Sequence, residues 1–460
     1  MTKALATTPA LVADVPSFIR ELTFADLPAD VVAQAQRCLL DLIGVATGGC
    51  RTPAAAIVNA YAGTQLCARD EEARILFDGR RASMAGAAFA GATTIDAIDA
   101  HDGHVLTKGH AGVAVLPALL AYIDGGAGAR ARDDGREFLT CLVLGYEIAT
   151  RAGIALHSTV HDYHCSGAWN ALACAAVGGR LLGFDNARLR HALGIAEYFG
   201  PRGQILRVCS HPTMLKDGSG WGAHAGVTAA LLAREAFTGA PAVTVEREDA
   251  RPLWSDLGTR WRIREQYFKA YPVCRWAQPA IEATLSLKRA HRFCADDVFH
   301  IRIESFREAI DLGSQCRFPA TTDEAQYSVT FAVAAALAFE RLGAEEIDAA
   351  RLDDARITRL IGAMALTEDA EFSRRFPAER WARVRITLRD GRTLVSDAER
   401  ARGNPENPIK DDELRAKYRG LAVPALGADR ATRIENAVAT LVNAPESVAV
   451  LIEELLRPIG

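Results

Sequence analysis

The sequence predicts a mainly α fold with a smaller α+β unit, and three observations support this. Residues 1–265 and 400–460 contain successive stretches whose apolar residues recur at helical spacing. Residues 266–399 instead contain alternating strand patterns between helical stretches. The length of 460 residues is enough for two or three domains, and 49% apolar with 24% charged residues is typical of globular proteins.

The first clearly predicted helix begins at Leu27-Pro28-Ala29-Asp30, because a proline and an acidic residue are typical of a first helical turn. It continues over residues 31–46 and ends at Gly48-Gly49. Three later helices have faces rich in alanine and glycine, which allow helix backbones to approach closely. These helices are expected over residues 84–97, 166–183 and 220–233.

Strand patterns begin after residue 265. A strand is expected over residues 298–304, where apolar and polar residues alternate, and a hairpin over residues 382–395. Asp390-Gly391 separates the two alternating runs of this hairpin, which is a strong turn signal. Helices are also expected in this region, over 325–341 and 352–366. After a turn-rich break at 404–408, a helix is expected over 447–456.

The composition argues against several classes of function. With 53 basic and 57 acidic residues, the chain lacks the positive charge of a nucleic-acid-binding protein. No apolar run reaches the roughly 18 residues of a membrane span, and the N-terminal segment lacks the long apolar region of a signal peptide. The ten cysteines contain no C-x-x-C pair, so we expect reduced, mostly buried thiols and a cytoplasmic protein.

Titratable side chains are concentrated at residues 96–110, between two apolar helical stretches. Three histidines occur there without a glutamate or serine, and glycine and apolar residues surround them, which favours a functional site over a solvated loop. A metal site is the lesser alternative, because the spacing matches no known ligand motif. The seven titratable residues are Asp96, Asp99, His101, Asp102, His104, Lys108 and His110.

Further histidines lie near a predicted helix start. His157 and His161 are four residues apart and would share one face if they were helical. His164 immediately precedes an alanine-rich helix, whose N-terminus lowers the pKa of a histidine and suits an acid–base role. A histidine that only packs there fits the sequence equally well.

Two lysines lie where an anion could bind. Lys216 precedes the glycine-rich start of a helix, in a segment that also contains Arg202, and helix amides together with an ammonium group would bind an anion. Lys269 lies among aromatic and apolar residues at the predicted domain boundary, where ligand pockets are common.

Proton transfer next to a carboxylate is the chemistry that fits these residues. A carbanion beside a carboxylate needs cations that stabilise its enolate form, and an acid and a base whose pKa values lie near 7. Lysines and histidines supply both. The sequence contains no dinucleotide-binding glycine motif, no phosphate-binding loop and no G-x-S-x-G, which disfavours nucleotide-dependent and α/β-hydrolase chemistry.

Seven segments, in the right order and spacing, resemble the MmgE/PrpD family, which includes 2-methylcitrate dehydratase, cis-aconitate decarboxylase and iminodisuccinate epimerase. The resemblance extends through nearly the whole chain. The segments are LPADVVAQAQRCLLDLIGVATGG, GHAGVAVLPALLA, YHCSGAWNALACAAVGGRLLGF, MLKDGSGWGAHAGVTAALLAREAFTGAP, FKAYPVCRWAQPAIEA, PATTDEAQYSVTFAVAAALA and NPENPIKDDELRAKY.

The resemblance implies a large all-helical domain built from both chain ends, residues 1–265 completed by 400–460. It also implies a smaller α+β lid domain at 266–399, a homodimer, and catalysis without a metal or an organic cofactor. A small carboxylate is the expected partner, with no nucleic acid and no membrane. The residues that match the family's catalytic positions are Asp99, Asp102, His110, His164, Lys216 and Lys269.

Two departures from the family concern the site. Many members have a hydroxyl residue right after the paired acids, where this chain has Gly103, and many have a histidine where this chain has Gln278. These differences indicate a substrate unlike methylcitrate or cis-aconitate. The spacing from Gly103 to His110 resembles the epimerase-type loop more closely.

We therefore predict a lyase that acts on a small di- or tricarboxylic acid without a cofactor. Elimination of water, as in 2-methylcitrate dehydratase, ranks first, and epimerisation and decarboxylation follow because they share the same intermediate. The alternatives from other classes are a non-catalytic carboxylate-binding protein and a metal-dependent enzyme that uses His101, His104 and His110.

In this prediction Lys216 and Lys269 bind carboxylates and stabilise the intermediate. One of His110 and His164 removes a proton and the other donates one, while Asp99 and Asp102 orient the histidines. Five further side chains are expected to contact the substrate, namely His101, His104, Arg202, Tyr271 and Gln278.

Overall fold

The computed structural model describes residues 14–459, and within this range the mainly α fold is confirmed. The expectation that no signal peptide is present depends mostly on residues 1–13, which lie outside the described residues. The helices are α1 (Val15–Glu21), α2 (Ala29–Gly49), α3 (Pro53–Gln65), α4 (Met84–Asp96), α5 (Gly112–Asp124), α6 (Ala129–Asp133), α7 (Gly135–Thr159), α8 (Gly167–Leu181), α9 (Asn186–Phe199), α10 (Ile205–Ser210), α11 (Ser219–Arg234), α12 (Val243–Glu246), α13 (Gln278–Ala290), α14 (Arg307–Gln315), α15 (Thr322–Gln326), α16 (Val329–Phe339), α17 (Ala355–Gly362), α18 (Ala370–Arg375), α19 (Asp411–Leu426), α20 (Ala428–Thr440) and α21 (Ser447–Leu456).

The strands are short and fewer. They are β1 (Glu72–Arg74), β2 (Arg81–Ser83), β3 (Gly103–His104), β4 (Gln266–Tyr267), β5 (Val298–Ser305), β6 (Met364–Glu368), β7 (Trp381–Leu388), β8 (Thr393–Val395) and β9 (Glu399–Arg400). Short 3-10 helices occur at Phe24–Asp26, Arg251–Trp254, Arg262–Glu265, Ala295–Asp297, Ala344–Glu346 and Ala349–Arg351.

Small residues allow the helices of the first part to pack closely. A Cβ atom added to Gly222 of α11 would lie 2.6 Å from the Cα atom of Gly167 in α8. One added to Gly49, the last residue of α2, would lie 1.8 Å from the carbonyl oxygen of Thr94 in α4. The predicted alanine- and glycine-rich helices are therefore confirmed as α4, α8 and α11. They pack this closely because their glycines have no side chain at the points of contact.

The second part contains one mixed sheet with the strand order β6-β5-β7-β8, and β9 also pairs with β7. β5 is parallel to β6 and antiparallel to β7. The predicted hairpin is confirmed as β7 and β8, and Gly391 in its turn has a φ of 90°, which favours glycine. Alternate residues of β7 are buried, and α13 packs against this strand.

Two predicted helices differ from the structure. The sequence predicts one helix over 352–366, whereas α17 ends at Gly362 and β6 follows it, because β5 provides a parallel partner that is distant in sequence. The predicted helix over 325–341 is divided into α15 and α16. The side chain of Ser328 caps α16 at the break.

The first part is not entirely helical, which corrects the all-helical prediction in detail. β1 and β2 form one antiparallel pair, and β3 and β4 form another. The second pair places Gly103 opposite Tyr267, so it brings the histidine-rich loop next to the segment that contains Lys269.

Two clusters of buried apolar side chains organise the molecule. The first contains residues from 15–268 together with 409–456, and we call this the helical unit. The second contains residues from 271–394 together with three from the helical part of the chain, and we call it the α+β unit. An ion pair of 2.6 Å between Lys417 of α19 and Asp41 of α2 connects the two chain ends within the helical unit.

Helix α7 is long and apolar enough to cross a membrane by length and composition alone. Its apolar window is entirely buried inside the folded chain, as in the core helix of a globular domain.

The homodimer remains a prediction. The large apolar side chains of the helical part of the chain that are at least half exposed are Ile57, Leu106, Tyr198, Phe199, Leu206, Leu215, Trp221 and Val450.

The contact between α2 and α4 provides a test of the packing. We expect Gly49→Ala to lower the free energy of unfolding by about 1–3 kcal/mol, because the added methyl group overlaps the Thr94 carbonyl. The matched control is Gly420→Ala in α19, where an added Cβ meets nothing within 4 Å and helix propensity favours alanine. Thermal unfolding compares the two, and an unchanged Gly49→Ala protein would contradict the close approach.

Candidate active site

A buried ion pair connects the histidine-rich loop to the start of the α+β unit. The Nζ atom of Lys269 donates to the Oδ1 atom of Asp99 at 2.5 Å and to its carbonyl oxygen at 2.8 Å. Lys269 is only 1% exposed. Burial by itself lowers the pKa of Lys269, but the charge of Asp99, the neighbouring Tyr267 and the hydrogen bond to Asp99 together outweigh it, and the pKa lies above its ordinary value. Lys269 is therefore a buried ammonium ion at neutral pH.

His110 lies beside this pair, and one of its ring nitrogens has no hydrogen-bond partner within residues 14–459. Its Nδ1 atom is 2.5 Å from the carbonyl oxygen of Asp102, so this nitrogen is assigned the proton. Its Nε2 atom is 4.0 Å from the Oδ1 atom of Asp99. Burial, and then the charge of Lys269, lowers the pKa of His110 to about 3. The imidazole is therefore neutral, and Nε2 offers a lone pair for a proton.

His101 packs directly on His110. The two ring centroids are 4.2 Å apart, and the Nε2 atom of His101 lies 3.6 Å from the Oδ1 atom of Asp96. Within residues 14–459 neither ring nitrogen of His101 has a hydrogen-bond partner. Burial, followed by the charges of His110 and Lys269, lowers its pKa well below 6.5. The loop thus contributes two neutral, adjacent imidazoles.

Buried carboxyl groups lie behind the histidines. Asp96 accepts from the backbone amides of Asp217 and Ser219 at 3.3 and 3.4 Å, and Asp217 accepts from the hydroxyl of Ser166. Burial, with the charge of Asp99 added, raises the pKa of Asp96 to about 6. Burial also raises the pKa of Asp217. These groups hold protons at a higher pH than ordinary carboxyl groups do.

Lys216, just before α11, contacts the α+β unit. Its Nζ atom lies 2.7 Å from Asp323 and donates to the side chain of Gln326 at 2.8 Å. The ring of Tyr327 lies 5.7 Å from the same atom. Sequence reasoning missed Asp323, Gln326 and Tyr327, although they belong to the segment PATTDEAQYSVTF, whose resemblance to the family could have singled them out.

Three residues around the site have an unusual backbone conformation. Asp99, Lys108 and Lys216 have φ angles of 46°, 51° and 47°, which non-glycine residues adopt rarely. Such residues are concentrated at functional sites, where the surrounding structure stabilises them. Their location agrees with a site formed by the histidine-rich loop and the start of α11.

His164 is buried just before α8, near the residues that fix His110. The hydroxyl oxygen of Ser166, two residues later, accepts from the backbone amide of His110 at 2.9 Å. The Nδ1 atom of His164 has no hydrogen-bond partner within the described part of the chain. The expected common face of His157 and His161 is wrong, because α7 ends at Thr159 and His161 lies in the following loop.

Asp102 orients His110 through its backbone and not through its carboxylate. The carboxylate accepts from the hydroxyl of Tyr146 at 2.7 Å. Burial, and then the charge of Asp41, raises the pKa of Asp102 to about 7. The expectation that the Asp102 carboxylate polarises a histidine is therefore corrected, whereas Asp99 does face His110.

Four of the five expected substrate contacts have other surroundings. The Nε2 atom of His104 lies 2.9 Å from Glu265, and Arg202 is exposed on a loop. Gln278 donates to the carbonyl oxygens of Tyr271 and Val273 and accepts from Arg275, so its amide is fully used within the protein. The remaining two of the five residues are Tyr271 and His101.

Burial raises the pKa of the Tyr271 hydroxyl, and the charges of Glu282 and Arg402, which lie close to it, are the next causes. Tyr271 is therefore directed away from the histidines. His101 alone among the five lies within the Asp99–His110 cluster. The side-chain directions depend on the β3–β4 pair, which the sequence does not reveal.

Gly103 leaves space for a tyrosine hydroxyl beside His110. A Cβ atom added at Gly103 would lie 2.6 Å from the hydroxyl oxygen of Tyr267 and 2.7 Å from the Nδ1 atom of His110. Tyr267 thus occupies the space that a side chain at position 103 would need. The glycine at position 103 is thus accompanied by a hydroxyl group from another segment.

Asp99, His101 and His110 could together hold a metal ion, because their ligand atoms lie within 4.8 Å of one another. His104, which the metal-dependent alternative included, does not belong to this set. The ammonium group of Lys269 already contacts Asp99, so a cation bound there would meet its positive charge. The donor set therefore fits a proton-transfer site better than a metal centre.

The candidate site thus consists of buried lysines, carboxyl groups and neutral imidazoles between two apolar cores. Two family models match the chain that forms it. The MmgE/PrpD N-terminal domain matches residues 14–251, and the MmgE/PrpD C-terminal domain matches residues 271–443. The chain belongs to the MmgE/PrpD family.

Two curated relatives are similar over nearly their whole length. The cis-aconitate decarboxylase-like protein oryM of Aspergillus oryzae is 25% identical, over 93% of this chain and 94% of the relative. A cis-aconitate decarboxylase of Aspergillus terreus is 23% identical, over 95% of each chain.

The pKa of Asp102 predicts a pH-dependent stability. A carboxyl group whose folded pKa is about 7, against about 3.8 when unfolded, contributes stability that is lost as pH rises between these values. Asp102→Asn keeps an acceptor for Tyr146 and removes this loss. Relative to the natural chain, the variant should gain about 2 kcal/mol between pH 5 and pH 7. Thermal unfolding at both pH values measures the change, and a difference that is independent of pH would contradict the raised pKa.

Proposed function

We propose that the chain is a lyase that acts on a small di- or tricarboxylic acid through a carbanion next to a carboxylate. The observation that carries this proposal is the buried cluster of Lys269, Asp99 and His110. It combines a charged ammonium group with a neutral imidazole whose Nε2 atom is free to accept a proton. A cation beside a base is what formation of an enolate requires.

In the proposed mechanism, the ammonium groups of Lys216 and Lys269 bind substrate carboxylates and stabilise negative charge on their oxygens. Both ammonium groups are already paired, with Asp323 and Asp99 respectively, so the substrate carboxylates compete with these internal partners. In elimination and epimerisation, the Nε2 atom of His110 accepts the proton from the carbon beside the carboxylate. His164 supplies the proton that the leaving hydroxyl group takes up in elimination, or that the carbon takes up after carbon dioxide has left.

Decarboxylation is the first candidate reaction, because both curated relatives described above carry the name cis-aconitate decarboxylase or a likeness to it. The bond from carbon to one carboxyl group breaks, carbon dioxide leaves, and a proton is added to the carbon that receives the electron pair. This order differs from the ranking that the sequence suggested, in which elimination of water came first and decarboxylation last.

Elimination of water is the second candidate, and the free Nε2 atom of neutral His110 favours it. In this reaction His110 takes a proton from carbon, the electron pair forms a double bond, and the hydroxyl group leaves as water after it is protonated. Epimerisation would use the same first step and return the proton to the opposite face.

Proton NMR in D2O tests the proposal. The purified protein is incubated with methylcitrate, citrate, cis-aconitate, trans-aconitate, malate, tartrate and iminodisuccinate, before and after treatment with a chelator. We expect turnover of at least one of these acids, with loss of carbon dioxide or water and deuterium at a carbon beside a carboxylate. Loss of carbon dioxide from cis-aconitate would identify decarboxylation.

The other outcomes separate the alternatives. Deuterium exchange with inversion and no elimination would replace the lyase by an epimerase. Tight binding of a carboxylate without exchange or turnover, from a folded protein, would replace it by a binding protein. Activity that is lost on chelation and restored by metal would support the metal-dependent enzyme.

Removing the ammonium group of Lys269 should abolish turnover. A single substitution would leave Asp99 as an unpaired buried charge, so a second substitution must neutralise Asp99. Breaking such a pair costs about 3–5 kcal/mol, so the informative protein is the double variant Lys269→Met with Asp99→Asn. We expect it to fold and to lose turnover by at least about 10²–10³-fold. The control is the exposed Lys410→Met, and circular dichroism checks the fold. Full turnover in the folded double variant would exclude the proposed role of Lys269.

A further inference from the structure

Arg380 is a buried guanidinium group at the start of the last long strand of the α+β unit. It immediately precedes β7 and is only 7% exposed. Among residues 14–459 its Nε atom is buried without a hydrogen-bond partner. No carboxylate of the described chain forms an ion pair with it. Buried charges are normally paired, because desolvation is costly, so a cation without a partner needs an explanation.

The acidic groups around Arg380 have other partners. The neighbouring Glu379 accepts from the indole nitrogen of Trp381 at 2.9 Å and from Arg375. The carboxylates of the candidate active site are also paired, Asp99 with Lys269 and Asp323 with Lys216. Within residues 14–459 no carboxylate therefore neutralises the charge of Arg380.

Arg380 acts electrostatically on the candidate active site. Burial is the main cause of the low pKa of His110, and the charge of Arg380 contributes in the same direction. Burial raises the pKa values of Tyr163 and Tyr267, and the charge of Arg380 opposes both changes. Its guanidinium group therefore lies within Coulomb range of the imidazole and of the tyrosine beside Gly103.

The backbone on both sides of Arg380 is firmly anchored. Before it, the ring of Phe376 stacks on Phe306 with centroids 4.9 Å apart and meets Trp276 edge-on at 5.6 Å. After it, the hydroxyl of Ser305 donates to the carbonyl oxygen of Trp381 at 2.8 Å. The position of Arg380 is thus fixed by the core of the α+β unit, as expected for a preorganised binding group.

We propose that Arg380 binds one carboxylate of the substrate and forms a third cationic subsite in addition to Lys216 and Lys269. This inference rests on the proposed function, because it requires a ligand with several carboxylates. A guanidinium group matches a carboxylate with two parallel hydrogen bonds, and it remains charged in a buried site. The α+β unit would in this way recognise the number of carboxylates.

Calorimetry with three unreactive acids tests the proposal. Tricarballylate has three carboxylates, glutarate lacks the central one, and 2-methylsuccinate lacks a terminal one. We expect Arg380→Gln to weaken tricarballylate binding at least about tenfold. One of the two dicarboxylates lacks the carboxylate that Arg380 binds in tricarballylate. For that acid, the natural chain and the variant should have dissociation constants within twofold of each other. The control is Arg385→Gln on β7, which is ion-paired with Glu304 and should leave all three affinities unchanged.

Each other outcome contradicts a defined statement. If the natural chain binds tricarballylate and Arg380→Gln binds all three acids equally well, Arg380 is not a subsite and the proposed function still stands. If the variant weakens all three acids by the same factor, Arg380 acts through the fold and the subsite is excluded. If the natural chain binds none of them, the proposed function and the subsite both fail.

The ligand-free protein gives a second, independent measurement. Replacing an unpaired buried charge by an apolar side chain of similar length should stabilise the fold. We expect Arg380→Met to raise the Tm of the ligand-free protein by about 2 °C or more. A lower Tm would show that Arg380 supports the structure and would contradict its role as a group that awaits a ligand.

Discussion

The buried ion pair between Lys269 and Asp99 is the interaction on which the site depends. It joins the histidine-rich loop of the helical unit to the chain segment that enters the α+β unit. Neither charge is stable alone in a buried environment, so each fixes the position of the other. The β3–β4 pair brings the two segments together, and the carbonyl of Asp102 then holds His110 beside them. These contacts together position the ammonium group of Lys269, the carboxylate of Asp99 and the imidazole of His110.

Burial gives the surrounding groups their chemical states. It lowers the pKa of His110 to about 3 and raises that of Asp102 to about 7. Imidazoles become neutral and carboxyl groups retain protons, while Lys269 stays charged because Asp99 compensates its desolvation. A single low-dielectric environment therefore keeps the imidazoles uncharged, the carboxyl groups partly protonated and Lys269 charged near neutral pH.

Local patterns in the sequence predicted the helices with small-residue faces and the hairpin at Asp390-Gly391, because both depend on neighbouring residues. The sequence did not predict β6, whose parallel partner is distant. For the site, Asp99, His110 and Lys269 do lie together in the structure. The directions of His104, Tyr271 and Gln278 could not be predicted, since they depend on strand pairing and loop packing. Arg380 carried no local signal, because only its burial without a partner distinguishes it.

The space beside Gly103 links two positions that are far apart in sequence. A side chain at 103 would overlap the hydroxyl of Tyr267. A side chain at 103 therefore requires either a shift of the Tyr267 ring or a smaller residue at 267, and it also crowds the Nδ1 atom of His110. Positions 103 and 267 are thus expected to covary during evolution, with glycine at 103 accompanying tyrosine at 267.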